Sequence, residues 1–167
     1  MNATYINKIL WSHYSASEYK LCNTFVFDFE SDFMCISKSG YVIECEVKVS
    51  RSDYFCDFNK KNYHNKKHDL LQDINKKYKP NKFFFVTPKG LIKKEEIPPY
   101  AGLIEIENGC IYFTKQAPFL HKEALLFNLK FVRNLMDKFY WRTNNLRYQL
   151  ELHEADIKYN QKRIEFY

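Results

Sequence analysis

Hydrophobic and polar positions along this chain follow two rhythms, and the places where one gives way to the other mark out its elements. Tyr5, Ile6, Ile9, Leu10, Tyr14 and Ser17 recur at helical intervals, which predicts a helix over 2–19. Cys22 to Phe29 is rich in aromatic and branched residues and reads as a strand. Asp32 to Ser37 and Tyr41 to Ser50 read as two more, joined through Lys38-Ser39-Gly40. Arg51 to Lys79 is polar, charged and free of Pro and Gly, and is expected to hold helices near 52–61 and 65–78. Lys82 to Thr87 is an apolar strand short enough to be buried on both faces, and Pro88 ends it. Pro98-Pro99 marks a loop. Gly102 to Glu107 and Gly109 to Thr114 are strands joined by Asn108-Gly109, a strong hairpin signal. From Pro118 onward, Leu125, Leu129, Val132, Leu135 and Phe139 keep helical spacing, predicting a long helix over about 118–143 with a charged extension to Tyr167. This order predicts an α/β fold: a mixed sheet flanked by helices, with a long C-terminal helix.

The hairpin from Asp32 to Ser50 carries the most information. A three-residue loop with Gly last is a standard connection, a type I turn followed by a left-handed residue. It sets Ser37 opposite Tyr41, Cys35 opposite Ile43, Phe33 opposite Cys45 and Asp32 opposite Glu46. Alternation then gives one face to Phe33, Cys35, Tyr41, Ile43, Cys45, Val47 and Val49, which is expected to be core. The other face carries Asp32, Met34, Ile36, Val42, Glu44, Glu46 and Lys48. A slip of one residue would expose the whole apolar set, so the register is well specified.

Three acids and a lysine on one face admit two readings. The plain one is a solvent-facing strand with a Glu–Lys ladder, which contributes little stability. The other is chemical. Neighbouring carboxylates repel unless a cation lies between them. Mg²⁺ and similar hard cations use one or two carboxylates together with water and substrate phosphate. A lysine two residues beyond Glu46 suits the charge that develops during phosphodiester hydrolysis.

Composition narrows the classes. Aromatic residues make up 18% of 167, which excludes a disordered chain. No apolar run approaches the roughly 18–20 residues needed to span a bilayer, and residues 1–20 lack the pattern of a signal peptide. Five cysteines, an odd number with no C-x-x-C pair, suggest reduced thiols and a cytoplasmic protein. Cys56, His64 and His68 match no common zinc spacing. Of the net charge of +6, Arg51 to Lys82 holds +5, from nine Lys or Arg against four Asp. Charge alone leaves a solvated helix face and a polyanion-binding patch equally open. There is no G-x-S-x-G motif and no glycine-rich phosphate loop. One domain over 1–167 is expected, with its core in about 2–143 and a helical extension over 144–167.

Asp32, a strand and turn, and then Glu46-Val47-Lys48 resemble the PD-(D/E)xK nuclease superfamily, the restriction-endonuclease-like proteins. The stretch SDFMCISKSGYVIECEVKVSRSDYFCDF, followed by NKFFFVTPKGLI and EIPPYAGLIEIENG, is similar to MmcB-like DNA-repair and phage-borne nucleases. The likeness covers about residues 28–115 in the expected order and implies a restriction-endonuclease-like sheet and metal-dependent hydrolysis of DNA. Asp32 matches the first acid, with Ser31 in place of the proline. Glu46 matches the second acid and Lys48 the catalytic lysine. The resemblance implies Mg²⁺ or Mn²⁺ held by Asp32, Glu46 and the Val47 backbone carbonyl.

Glu18 stands where some members add a metal-binding acid, although a plain surface glutamate is the commoner occupant of such a place. Glu44 shares the catalytic face, and Glu30 is an alternative to Asp32. Ser50 or Ser52 can cap the following helix, and Asp53 lies close enough in sequence to support the site. Between Asp57 and Pro80 the chain departs from shorter members through a longer basic insert. Its Lys60, Lys61, His64, Lys66, Lys67 and His68 are expected to grip a nucleic-acid backbone, with Lys67 and His68 alternatively reaching the scissile phosphate. DNA is thus the implied partner, RNA remains open, and the setting is a bacterial or phage-infected cytoplasm. A non-catalytic nucleic-acid-binding or host-interaction protein on the same fold is the competing reading, and the long helix offers a surface for a homodimer.

Overall fold

The computed structural model describes residues 1–17, 19–59 and 64–165; for 64–65, 158 and 160–165 it describes the backbone only. Helix α1 (Ala3–His13) precedes strands β1 (Tyr19–Thr24), β2 (Ser31–Ile36) and β3 (Val42–Val47). Helices α2 (Arg51–Cys56) and α3 (His64–Gln72) lead to β4 (Lys82–Pro88), β5 (Gly102–Glu107) and β6 (Cys110–Lys115). Helix α4 (Leu129–Glu165) closes the chain. The six strands lie in sequence order across one sheet. β1–β2, β2–β3 and β5–β6 are antiparallel, and β3–β4 and β4–β5 are parallel. The expected mixed α/β sheet with flanking helices and a long C-terminal helix is therefore what forms. No helix among the described residues is long and apolar enough to cross a membrane.

Both hairpins follow their turn chemistry. Gly40 adopts a φ of 81°, Ser37 N–H donates to Tyr41 O at 2.9 Å, and Phe33 pairs with Cys45 and Cys35 with Ile43. Asn108 and Gly109 both take positive φ, the conformation that a tight two-residue hairpin requires.

One face of the sheet packs as expected: Phe33, Cys35, Cys45 and Val47 bury against Ile6 and Leu10 of α1. Two expected members differ: Val49 lies beyond β3 and is exposed, and Tyr41 is half-buried against Phe119 instead of joining this cluster. The opposite face is not open to solvent. Met34, Ile36 and Val42 bury against Leu125, Phe131 and Leu135 at the turn end. Phe83 and Phe85 of β4 pack with Tyr54 and Leu71 of the α2–α3 crossover.

Several boundaries differ from expectation, each for a local reason. α1 ends at His13, where the Tyr14 N–H closes on Leu10 O at 3.0 Å. β1 spans 19–24 rather than 22–29, because pairing with β2 runs from Tyr19↔Ile36 to Thr24↔Ser31. Val26 and Phe27 are buried in a loop beneath α4 instead. α3 stops at Gln72, where the buried Lys79 ammonium donates to Leu71 O at 2.8 Å and Asp73 O at 2.6 Å, satisfying carbonyls that the helix leaves open.

The last helix starts at Leu129, not Pro118, and Asn128 Oδ1 accepts from Phe131 N–H at its N-terminus. Residues 118–128 run across the sheet end without forming α-helix, and Asn81 fixes them there. Its Oδ1 accepts from Val42 N–H at 2.7 Å, and its Nδ2 donates to Glu123 O at 2.7 Å and His121 O at 3.1 Å. Asn81 is fully buried, so Asn81→Ala strands these groups away from water. It is expected to lower stability by about 2–4 kcal/mol, measured as the urea unfolding midpoint.

Candidate functional site

β3 sits between an antiparallel neighbour and a parallel one, so its side chains reach both faces of an interior strand. Glu44 and Glu46 point to the face covered by the α2–α3 crossover, opposite Phe83 and Phe85 in register on β4. Glu44 is 2% exposed, Glu46 7% and Lys48 4%. Charges this deep require partners.

Their main partner comes from α3. Lys67 Nζ lies 2.6 Å from Glu44 Oε1 and 2.6 Å from Glu46 Oε2, and donates to Glu30 O at 2.8 Å. Its contact with Glu44 is ionic rather than a well-directed hydrogen bond. Burial alone would lower the Lys67 pKa, but Glu44 and Glu46 outweigh it and hold the ammonium above its usual range. Lys48 Nζ lies 2.8 Å from Asp57 Oδ2, 3.3 Å from Glu46 Oε1 and 3.8 Å from Asp53 Oδ1. Burial opposes its charge, and Glu46 and the two aspartates more than restore it. Asp57 is buried too, yet His68 and Lys48 hold it below the usual carboxylate range. His68 is sandwiched in the crossover. It stacks on Phe58 and meets Tyr100 Oη through Nδ1 at 2.9 Å, while its Nε2 is 3.8 Å from Asp57 Oδ2.

Asp32 completes the set from β2. Its Oδ2 accepts from Val47 N–H at 2.7 Å, which turns the carboxylate onto β3. Burial and then Glu46 push its pKa up to about 6, against the pull of the Val47 amide, Lys48 and Lys67. Glu44 is likewise raised, by burial first. Among the described residues, Asp32, Glu44, Glu46 and Asp57 thus share the ammonium groups of Lys48 and Lys67, with His68 beside Asp57, and the acids outnumber the lysines.

The structure brings Asp32, Glu46 and Lys48 together as the sequence suggested. Ser50 caps α2 by accepting from Asp53 N–H at 3.1 Å, and Asp53 reaches Lys48. Lys67 and His68 require correction. Both are buried, at 4% and 2% exposure, so neither grips a nucleic-acid backbone from the surface. They alternate with outward Lys66 and Asp69 on an amphipathic helix whose inner face meets acids, not solvent. Glu18, Lys60, Lys61 and the side chain of His64 lie outside the described residues, and Lys66 is exposed. Glu30 contributes its carbonyl to Lys67, and Glu44 its carboxylate. Sequence reasoning missed Asp57 and Tyr100. The Asp53-to-Asp57 spacing, one helical turn after Lys48, was the signal for Asp57; Tyr100 arrives from a distant loop and left none.

Among the described residues, no three His, Cys, Asp or Glu side chains converge as a metal-holding group. Asp32 and Glu46 are a two-carboxylate pair, which fits a hard dication completed by water and phosphate. The fit has a local cost: both Glu46 oxygens already serve lysines, and Asp32 Oδ2 serves the Val47 amide.

No protein-family model and no curated protein matches the sequence. A solved structure, the SPO1766 protein of unknown function from Silicibacter pomeroyi, is similar in fold. It has a TM-score of 0.60 at 18% identity over 87% of this chain and 88% of that one. At that identity the likeness concerns the fold alone.

Two outcomes follow. Lys67→Met leaves the buried Glu44 without an ammonium and Glu46 with Lys48 alone, and is expected to cost about 3–5 kcal/mol in denaturant unfolding. Adding Glu44→Gln to Lys67→Met should recover part of that loss. Asp32 behaves oppositely. Its carboxyl titrates at about 6 in the folded chain against a usual 3.8, so the folded state holds the extra proton between those values. Stability therefore falls as pH rises through that window, and the cost is complete above it. Asp32→Asn keeps an acceptor for Val47 N–H, removes the charge, and should raise stability at pH 7.5 by roughly 1–3 kcal/mol. It should also flatten the profile between pH 4 and pH 6.

Proposed function

We propose that this chain is a metal-dependent phosphodiesterase acting on DNA, with Asp32, Glu46 and Lys48 as its reacting groups. The observation that carries the reading is the raised Asp32 carboxyl beside Glu46, in a network where four acids face two ammonium groups. A protein that stores like charge at one point loses stability there, and the loss is recovered when a cation arrives. The resemblance of Asp32 and Glu46-Val47-Lys48 to the PD-(D/E)xK superfamily supports the same reading, as does a sheet in which an antiparallel hairpin carrying those residues is followed by parallel strands.

Asp32 and Glu46, with the Val47 carbonyl, would hold Mg²⁺ or Mn²⁺. When bound, such an ion supplies Lewis-acid polarisation of the phosphate and lowers the pKa of water. The chain's own groups have separate tasks. Lys48, kept charged by Glu46 and Asp57, offers an ammonium to the developing negative charge. Asp57 fixes Lys48 from beneath, and His68, bonded to Tyr100, stands beside Asp57. Lys67 holds Glu46 in place through one oxygen. Without a dication the site is net acidic and repels phosphate, so DNA engagement should depend on the metal. Exposed Lys66 and the neighbouring insert are the proposed contacts to the DNA backbone.

One observation favours a second reading, a non-catalytic nucleic-acid-binding protein on this fold. Lys67 already meets both Glu44 and Glu46 at 2.6 Å, as a resident cation would.

Incubation of supercoiled, linear and single-stranded DNA with Mg²⁺ or Mn²⁺ separates the two, alongside calorimetric titration of Mn²⁺. Cleavage by the wild type, loss of at least about a hundredfold in Glu46→Gln, and loss of Mn²⁺ binding in Asp32→Asn are expected. DNA binding that is salt-sensitive, indifferent to metal and unchanged in Glu46→Gln, with no cleavage, would establish the second reading instead.

A further inference from the structure

Helix α4 has two unlike halves. Its first turns belong to the body of the protein: Phe131 and Leu135 are buried, Asn134 donates to Val26 O, and Arg142 donates to Cys22 O at 3.2 Å. From Asn145 to Ile157 every residue is exposed, yet the helix continues. A bare stretch of that length is marginal as a helix in water, and most helical stability in proteins comes from packing an apolar face. This half has such a face. Val132, Met136, Phe139, Thr143, Leu146, Leu150, His153 and Ile157 alternate at steps of four and three, the heptad spacing of a coiled-coil seam. The seam is free of the body: Met136 is 65% exposed, Leu146 60%, Leu150 61% and Ile157 44%. The residues that face β1 (Lys138, Arg142 and Asn145, beside Leu21 and Asn23) lie on a different side of the helix.

We infer that this seam is covered by the same seam of a second copy, running antiparallel. Charge chooses both partner and direction. In a parallel pair the flanking positions nearest Arg147 and Glu154 are Arg142 and Gln149 of the other helix, so neither meets an opposite charge. In the antiparallel register that sets Leu146 against Ile157 and Leu150 against His153 of the other copy, Arg147 meets Glu154, and two-fold symmetry makes that pair twice. The same register brings the end of the partner's helix at Glu165 level with Lys138, one turn before Arg142 makes its bond to the body. The exposed length from Asn145 onward is therefore covered from end to end. The inference is independent of the proposed chemistry, since none of these residues touches the acid–lysine network.

Sedimentation equilibrium of the full chain tests it. Wild type is expected at twice 20.2 kDa. Leu146→Glu with Leu150→Glu should give monomers that keep the near-ultraviolet circular dichroism of the body, because neither residue packs on it, while losing helical signal from the α4 extension. Arg147→Glu and Glu154→Arg should each weaken the dimer several-fold, and the two together in one chain should restore it. A wild-type monomer at concentrations up to about 100 µM overturns the inference and leaves a different chain as the occupant. A dimer that survives the double leucine change overturns the seam. A charge swap that fails to restore association overturns the antiparallel register.

Discussion

The acids of β3 could not be where they are without Lys67. Glu44 and Glu46 stand on an interior strand under two helices, and an isolated carboxylate at that depth would protonate or unfold the region around it. One ammonium, delivered from α3, meets both of them and the Glu30 carbonyl. That contact fixes how α3 sits on the sheet, which in turn sets His68 against Phe58 and Tyr100. Lys48 repeats the arrangement a residue pair further along, with Asp57 below it and Asp53 at the rim. Among the described residues the two lysines do not match the four acids, and burial together with Glu46 raises the carboxyl of Asp32, the most solvent-accessible acid of the set.

Most of the sheet was legible in the sequence because local rules governed it. The Lys38-Ser39-Gly40 and Asn108-Gly109 turns set their registers through backbone conformation alone, and strand alternation then assigned every side chain of the hairpin to a face. What the sequence did not reveal was what covers each face. Met34, Ile36 and Val42 share a side with the acids, and the sequence could not tell whether that side was wet. The answer depends on residues 118–128, which have helical spacing but are kept out of α-helix by the Asn81 side chain, which binds the carbonyls of His121 and Glu123. The same limit applies to Val26 and Phe27, apolar enough for a strand but committed to the underside of α4.

The candidate site divides in the same way. Asp32, Glu46 and Lys48 were legible because spacing on paired strands determines their neighbours. Lys67 and His68 were legible as residues but not as roles. A lysine-rich helix looks alike from the sequence whether a given lysine faces water or acid, and only the packing phase of α3 separates Lys66 from Lys67. Asp57 was missed although its spacing from Asp53 along the helix signalled it, whereas Tyr100 depends on a loop that passes the site only in three dimensions.

The topology has a consequence for the order of assembly. β2 and β3 form a local hairpin that can close early, with Glu44 and Glu46 still hydrated on its outer side. β4 is parallel to β3, so the chain must travel across the face through α2 and α3 before that strand can pair. Lys67 rides on that crossover and arrives with the layer that excludes water. The segment that covers the acids is thus the same one that supplies their counter-charge, so burial and neutralisation are coupled by the topology.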